Sequence, residues 1–359
     1  MTVIRRPPVQ LPLHYGAAPR WLFERMTRLA RQVTLVIVEE FGPREVLAKL
    51  SDPLWFQAFG CVLGFDWHSS GVTTTVCGAL KEGLRGLERD SGLFVAGGKG
   101  KTSRKTPQEL EAFGERFGFE PAGLVYASRL AAKVDSAALQ DGYQLYHHTF
   151  VCSGDGAWTV IQQGMNEATR WARRYHWLSA AVDDFVCEPH KAICSDERGV
   201  VLNMVAQESG ECRDLSAELA GQNPDKLVGE LKRLQTLELP ERHHLEVSDI
   251  HPDKLAKIFL KTYERQPEDF ERLLGMEGVG AKTIRALALV SELVYGAKAS
   301  VRDPARFSFA HGGKDGHPYP VDRCTYDRSI EALRTAVERA KLGQREKLEA
   351  LRRLAATDS

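Results

Sequence analysis

GYQLYHHTFVCSGDGAWTVIQQGM, Gly142 to Met165, is the stretch on which the reading of the fold turns. Side chains of alternating character, rich in aromatic and β-branched residues, run through GYQLYHHTFV and again through WTVIQQGM, which predicts two strands. Between them CSGDGA holds the Gly-Asp-Gly cluster of a hairpin turn. With Ser153 to Gly156 as the loop, Tyr143, Leu145, His147, Thr149 and Val151 share one face, and His147 lies opposite Gln162. Ionisable groups thus sit inside a strand pair that should be packed. Asp141 begins the first strand, and Gln163 and Asn166 close the second, so a carboxylate, two imidazoles and amides are expected in one cleft. A histidine can serve as general base on water, and Asp141, His147 and His148 could hold a divalent Mg or Mn ion. Asp141, His147, His148 and Gln163 are the expected catalytic residues.

Working outward, helical and strand patterns alternate from Phe65 to about Met204, and helical patterns dominate from Asp214 onward. The class expected is α+β (mixed α/β). Residues 1–60 read as a Pro-rich lead and a packing helix in WLFERMTRLARQVTLVIVEEFG. Residues 61–208 read as an α/β domain carrying the chemistry, 209–300 as a helical domain, and 301–359 as a basic loop followed by amphipathic helices. The first boundary after the α/β domain is soft, since no Pro/Gly/Ser linker marks 205–213. NEATRWARRYHWLSAAVDDF, directly after the hairpin, reads as a helix. Its spacing would place Trp171, Tyr175 and Leu178 in the core and Arg170, Arg173, Arg174 and Trp177 on a basic stripe suited to phosphates and stacked bases.

In PEDFERLLGMEGVGAKTIRALALV, one helix ends near Leu274, a tight turn uses Gly278 and Gly280, and a second helix starts near Ala281. Glycines allow close backbone approach to a ligand, and the free N–H groups of a helix start favour an anion. Gly278, Val279, Gly280, Lys282 and Thr283 in this pattern resemble the helix-hairpin-helix motif of DNA-repair proteins. The resemblance implies that the turn amides hold one backbone phosphate and that Lys282 adds a charge-assisted contact. GVGAKT with the later PVD is also similar to endonuclease III-type glycosylases. That likeness implies a Schiff-base lysine at Lys282 assisted by Asp322, although the segment between them is longer than in that family.

Lys plus Arg and Asp plus Glu are each 48, so the net charge is zero and any polyanion surface must come from local clustering. GGKGKTSRKTP supplies such a cluster in Lys99, Lys101, Arg104 and Lys105, without Walker spacing and hence without an implied nucleotide cofactor. FAHGGKDGHPYP is a second such loop, with His311, Lys314 and His317. DDFVCEPHKAI offers Asp183, Asp184, Glu188 and His190, and His68, Ser69 and Ser70 stand at a helix start. Seven scattered cysteines without a Cys-x-x-Cys pair point to reduced thiols. No signal peptide or spanning apolar run is seen, so a cytoplasmic protein without a membrane partner is expected.

WHSSGVTTTVCGALKEGL, GGKGKTSRKTP, LQDGYQLYHH, VIQQGMN, ARRYHWLS and FAHGGKDGHPYPVDR together resemble a prokaryotic, mainly archaeal, domain-of-unknown-function family over nearly the whole chain. That resemblance implies no reaction. The expectation from the residues is a DNA-binding enzyme of repair or DNA processing, first a metal-dependent nuclease. The alternatives are a glycosylase/lyase using Lys282 and Asp322, or a non-enzymatic adaptor that recognises DNA structure.

Overall fold

A computed structural model describes residues 18–65, 70–195, 197–234, 250–305 and 323–357, with the side chains of 323–330 and 356–357 excepted. Its centre is a five-stranded antiparallel sheet in the order β1 (Leu93–Lys99), β3 (Gln144–Ser153), β4 (Trp158–Asn166), β5 (Trp171–Leu178), β6 (Ala192–Cys194). The chain is thus α+β. The expected hairpin is β3–β4, but its register differs by one residue from the expectation. Ser153 N–H donates to Ala157 O at 2.9 Å, so the loop is the three residues Gly154, Asp155 and Gly156, with Gly156 at φ +87°. A three-residue loop closed by a left-handed glycine shifts the pairing relative to a four-residue one. His148 therefore lies opposite Gln162, and His147 opposite Gln163. Beyond His147 the pairing shifts once more, at a bulge that takes in Tyr146.

The helix expected in NEATRWARRYHWLSAAVDDF is instead strand β5. Asn166 accepts from the N–H groups of Ala168 and Thr169, which folds the chain into a turn, and Arg170 closes it at φ +61°. The next eight residues then pair with β4 from Trp171↔Asn166 to Leu178↔Thr159. The run fits both periods, because WARRYHWL alternates as regularly as it winds. The unpaired edge of β4, with its row of backbone partners, decides between them. Arg173 and Arg174 consequently point to opposite faces of a buried strand, at 1% and 0% exposure, and the expected basic stripe does not form.

The two faces of the sheet carry two separate hydrophobic clusters. Val95, Val151 and Ile161 face a layer made of α1 (Arg20–Phe41), α2 (Pro43–Ser51), α3 (Pro53–Leu63) and α4 (Gly71–Leu84), joined by α13 (Arg323–Arg339) and α14 (Gln344–Thr357). Pro53 at the start of α3 and the Asp52 carboxylate, which accepts from Leu54 and Trp55 N–H, set the turn between α2 and α3. A short α5 (Glu88–Ser91) leads into β1. Phe94, Phe150, Val160 and Trp177 face the other layer: α6 (Thr106–Phe117), α7 (Ala122–Lys133), α8 (Gly210–Ala220), α9 (Pro224–Leu234), α10 (Pro252–Arg265), α11 (Phe270–Gly275) and α12 (Ala281–Tyr295).

A small sheet, β2 (Leu139–Gln140), β7 (Val200–Asn203), β8 (Ser300–Arg302), ties the later helices to the earlier ones. Residues from Phe94 to Ala305 therefore share one cluster, and the apolar cores divide along the faces of the sheet rather than at residue 208. The six cysteines with described side chains are free thiols. Among the described residues no helix is long and apolar enough to cross a membrane.

Candidate functional site

The Gly-rich turn between α11 and α12 has the geometry its sequence suggests. Asp269 caps α11 by accepting from Arg272 N–H at 2.7 Å, and the helix ends at Gly275. Gly278 sits at φ +91°, a conformation that side chains rarely adopt. Val279, 1% exposed, anchors the turn in the core, and α12 starts at Ala281 without a side-chain cap. Its first-turn N–H groups are thus left to other partners. From below, Lys133 donates to the carbonyls of Val279 and, at 3.4 Å, Met276. A trans peptide carries its C=O and N–H in opposite directions, so fixing the Val279 carbonyl on Lys133 turns the Gly280 N–H away from it. Burial pushes the Lys133 ammonium below its ordinary range. Lys282 is exposed on the first turn of α12, and Thr283 is buried.

The turn rests on α10, where a Cβ on Gly278 would lie 3.9 Å from Ile258. Around Ile258, α10 exposes Lys254, Lys257, Lys261 and Arg265, none of which forms an ion pair among the described residues. At 100° per residue these four lie within an arc of about 80°, opposite the buried Leu255, Phe259 and Thr262. The expectations drawn from sequence do not include this stripe. Its signal is nonetheless present in the spacing i, i+3, i+7, i+11 of DKLAKIFLKTYER.

The other expected site residues do not converge on one cleft. Asp141 is buried, and its Oδ2 accepts from Arg173 at 2.9 Å and from Tyr175 at 2.7 Å. Burial pushes its carboxyl up, and Arg173 opposes that shift. Arg173 also holds Asp303 at 2.7 Å, so it closes a buried ion triad. Arg174 stacks over Phe56 and bonds to His176 and Gln57. His147 and His148, adjacent on β3, leave toward opposite faces. His147 Nε2 meets Thr149 at 3.0 Å, while His148 meets Ser128 and Gln162, each at 2.9 Å. Burial lowers the pKa of both imidazoles, of His147 to about 3.

The expected metal set of Asp141, His147 and His148 therefore does not assemble, and the described residues contain no other cluster of three or more such ligands. Gln163 donates to Ser70 O at 2.9 Å and to Tyr146. His190 pairs with Asp135 at 2.5 Å. Arg170 lies in the β4–β5 turn, exposed. Lys99, Lys101, Arg104 and Lys105 are exposed along the end of β1 and the 3-10 turn Gly100–Lys105. Asp322, His68, Ser69, His311, Lys314 and His317 lie outside the described residues.

Two cavities open beside the basic turn 100–105. One, of about 1190 Å³, lies on the α4 side and is lined by Lys99, Tyr146 and Thr149. The other, of about 770 Å³, runs from Arg104 along α7 to Gly275 at the end of α11, with His148 and Gln162 in its wall.

The chain belongs to the family described as "Protein of unknown function (DUF763)", whose model matches residues 8–321. No curated protein and no solved structure matches it.

Proposed function

We propose that this member of the DUF763 family binds DNA through the α11–α12 turn and the cationic stripe of α10. The carrying observation is the placement of Gly278 against Ile258 of α10, which joins a helix start without a side-chain cap to the helix that exposes Lys254, Lys257, Lys261 and Arg265. Backbone amides and a helix start supply a phosphate pocket, and a row of cations spaced along a helix follows successive phosphates. Such contacts read shape and charge, so binding carries little base preference. With zero net charge on the whole chain, the attraction must come from local clusters such as this stripe and the exposed Lys99, Lys101, Arg104 and Lys105. Lys282 acts here as a phosphate contact, since its exposed position lacks the dry surroundings a Schiff-base lysine needs.

Fluorescence anisotropy with labelled duplex, forked and single-stranded DNA at about 50 to 200 mM salt tests the reading. The triple variant Lys254→Glu, Lys257→Glu, Lys261→Glu should bind at least about tenfold more weakly, and its salt slope should fall by about 0.9 for each phosphate that is no longer neutralised. Unchanged affinity and slope would remove the α10 stripe from the interface.

A further inference from the structure

We infer that Ser128 is a nucleophile activated by His148, at the floor of the 770 Å³ cavity, acting on a phosphodiester of the bound strand. The choice of substrate rests on the proposed DNA-binding function; the activated serine does not.

Ser128, Ala131 and Asp135 recur on one side of α7 and of the π-helical turn Val134–Ala138 that extends it, and this side faces β3 and β4. Asp135, wholly buried, accepts from Gln162 Nε2 at 2.5 Å and from Trp177 Nε1 at 3.0 Å. Ala131 O also takes the Gln162 amide at 3.2 Å. With both acceptors on its nitrogen, Gln162 must present Oε1 to His148, where it lies 2.9 Å from Nδ1. His148 therefore carries its proton on Nδ1, and its Nε2 lone pair accepts from the Ser128 hydroxyl at 2.9 Å. Burial lowers the pKa of His148, which keeps the resting imidazole neutral, with its Nε2 lone pair turned to the hydroxyl. One carboxylate thus fixes an amide, the amide fixes a tautomer, and the tautomer fixes the direction of the serine O–H.

The bond made by Ser128 departs from what serine ordinarily does inside a helix. There a hydroxyl usually returns to the carbonyl four residues back. Ser136 does so in the same cavity, donating to Ala132 O at 2.6 Å, as Thr27 does to Phe23 O at 2.8 Å. Ser128 gives its proton to an imidazole instead. A nucleophile hydrogen-bonded to a base, with the base oriented by a third group, is the arrangement of covalent catalysis.

The cavity volume falls within the range of small-ligand sites, about 300 to 1,000 Å³, enough for a nucleotide unit. Arg104, Arg129 and Lys133 line it against Glu111 and Glu120, and at Gly275 it meets the proposed phosphate-holding turn. In the reaction, Ser128 Oγ attacks phosphorus while its proton passes to His148 Nε2. The P–O bond to the leaving sugar oxygen breaks, and that oxygen takes the proton from His148. Water, deprotonated by His148, then attacks the phosphoserine; the P–Oγ bond breaks and Ser128 recovers its proton. Gln162 and Asp135 are positioning residues.

The full-length protein is treated with a fluorophosphonate probe, and the adduct is located by mass spectrometry. Labelling is expected on Ser128 in the presence of chelator, lost in Ser128→Ala and slowed at least about 100-fold in His148→Ala. No adduct on Ser128 overturns the proposal, and a cooperative urea unfolding transition in Ser128→Ala shows that this variant is folded. In Asp135→Asn the amide can turn about, and 15N shifts should report His148 protonated on Nε2 with labelling suppressed; a retained Nδ1 proton refutes the positioning role. On end-labelled DNA, Ser128→Ala should bind without cutting, whereas cutting at the wild-type rate would exclude Ser128 as nucleophile. The α10 triple variant should still label Ser128 while no longer cutting. If the wild-type protein labels Ser128 but binds none of the DNA probes, the DNA reading falls and the serine stands.

Discussion

The two faces of the central sheet treat adjacent, chemically identical residues differently. On the α4 side, His147 reaches only Thr149 among the described residues, and its Nδ1 has no hydrogen-bond partner there. On the α7 side, both nitrogens of His148 are engaged, in a chain that runs from Ser128 to Asp135. Burial depresses both, yet one histidine is held in a single tautomer and the other is not. The difference lies in the layer that each face meets. α7 and the π-helical turn that extends it bring a hydroxyl, a carbonyl and a carboxylate at heptad-like spacing to their face, whereas Thr149 is the one described partner of His147. A polar network with every member satisfied specifies geometry, and a partly satisfied one does not.

The largest break in this comparison should come from Arg173, which carries the charge balance at the edge of the α7 face. Arg173→Ala leaves Asp141 and Asp303 buried without their cation and should cost about 3 to 5 kcal/mol in urea unfolding. Arg173→Ala with Asp141→Asn and Asp303→Asn should recover part of that loss. A smaller effect is expected from His148→Ala, which strands the Ser128 hydroxyl and the Gln162 carbonyl and should cost about 1 to 3 kcal/mol. Unfolding midpoints at constant m-value would check it.

Acid should sharpen the comparison without mutation. A histidine depressed in the folded state binds its proton in the unfolded chain first. Its stabilising contribution is therefore complete above the ordinary value of 6.5 and is lost as pH falls; for His147 the loss runs from about 6.5 toward about 3. His147→Gln should flatten the fall in stability across that window, measured by denaturant melts at successive pH values. The smallest effect belongs to the exposed surface. Lys282→Ala should leave the melting temperature unchanged and lower the salt slope of DNA binding by about 0.9, the amount expected for one neutralised phosphate.

Much of the framework was legible in the residues. The turn composition of CSGDGA marked the β3–β4 hairpin, the apolar spacing of WLFERMTRLARQVTLVIVEEF marked α1, and Gly278 with Gly280 marked the α11–α12 turn. These signals are local, because a turn needs particular backbone angles and an amphipathic face needs a particular period. The stripe Lys254, Lys257, Lys261, Arg265 was equally local and equally readable.

What lay beyond the sequence depended on contacts between distant segments. WARRYHWL satisfies both periods, and only the open edge of β4 made it a strand and so buried Arg173 and Arg174. A loop shorter by one residue moved Gln162 from His147 to His148, since a strand's side chains alternate and a single step reverses every facing pair. Ser128 carries no motif at all. It meets His148 because α7 packs across β3, twenty residues away in sequence. The sequence by itself therefore determined which elements could form and where the chain turns, through short-range backbone preferences. The tertiary structure decided which side chains face one another, through the packing of two helical layers on one sheet, and with that it decided where the candidate chemistry lies.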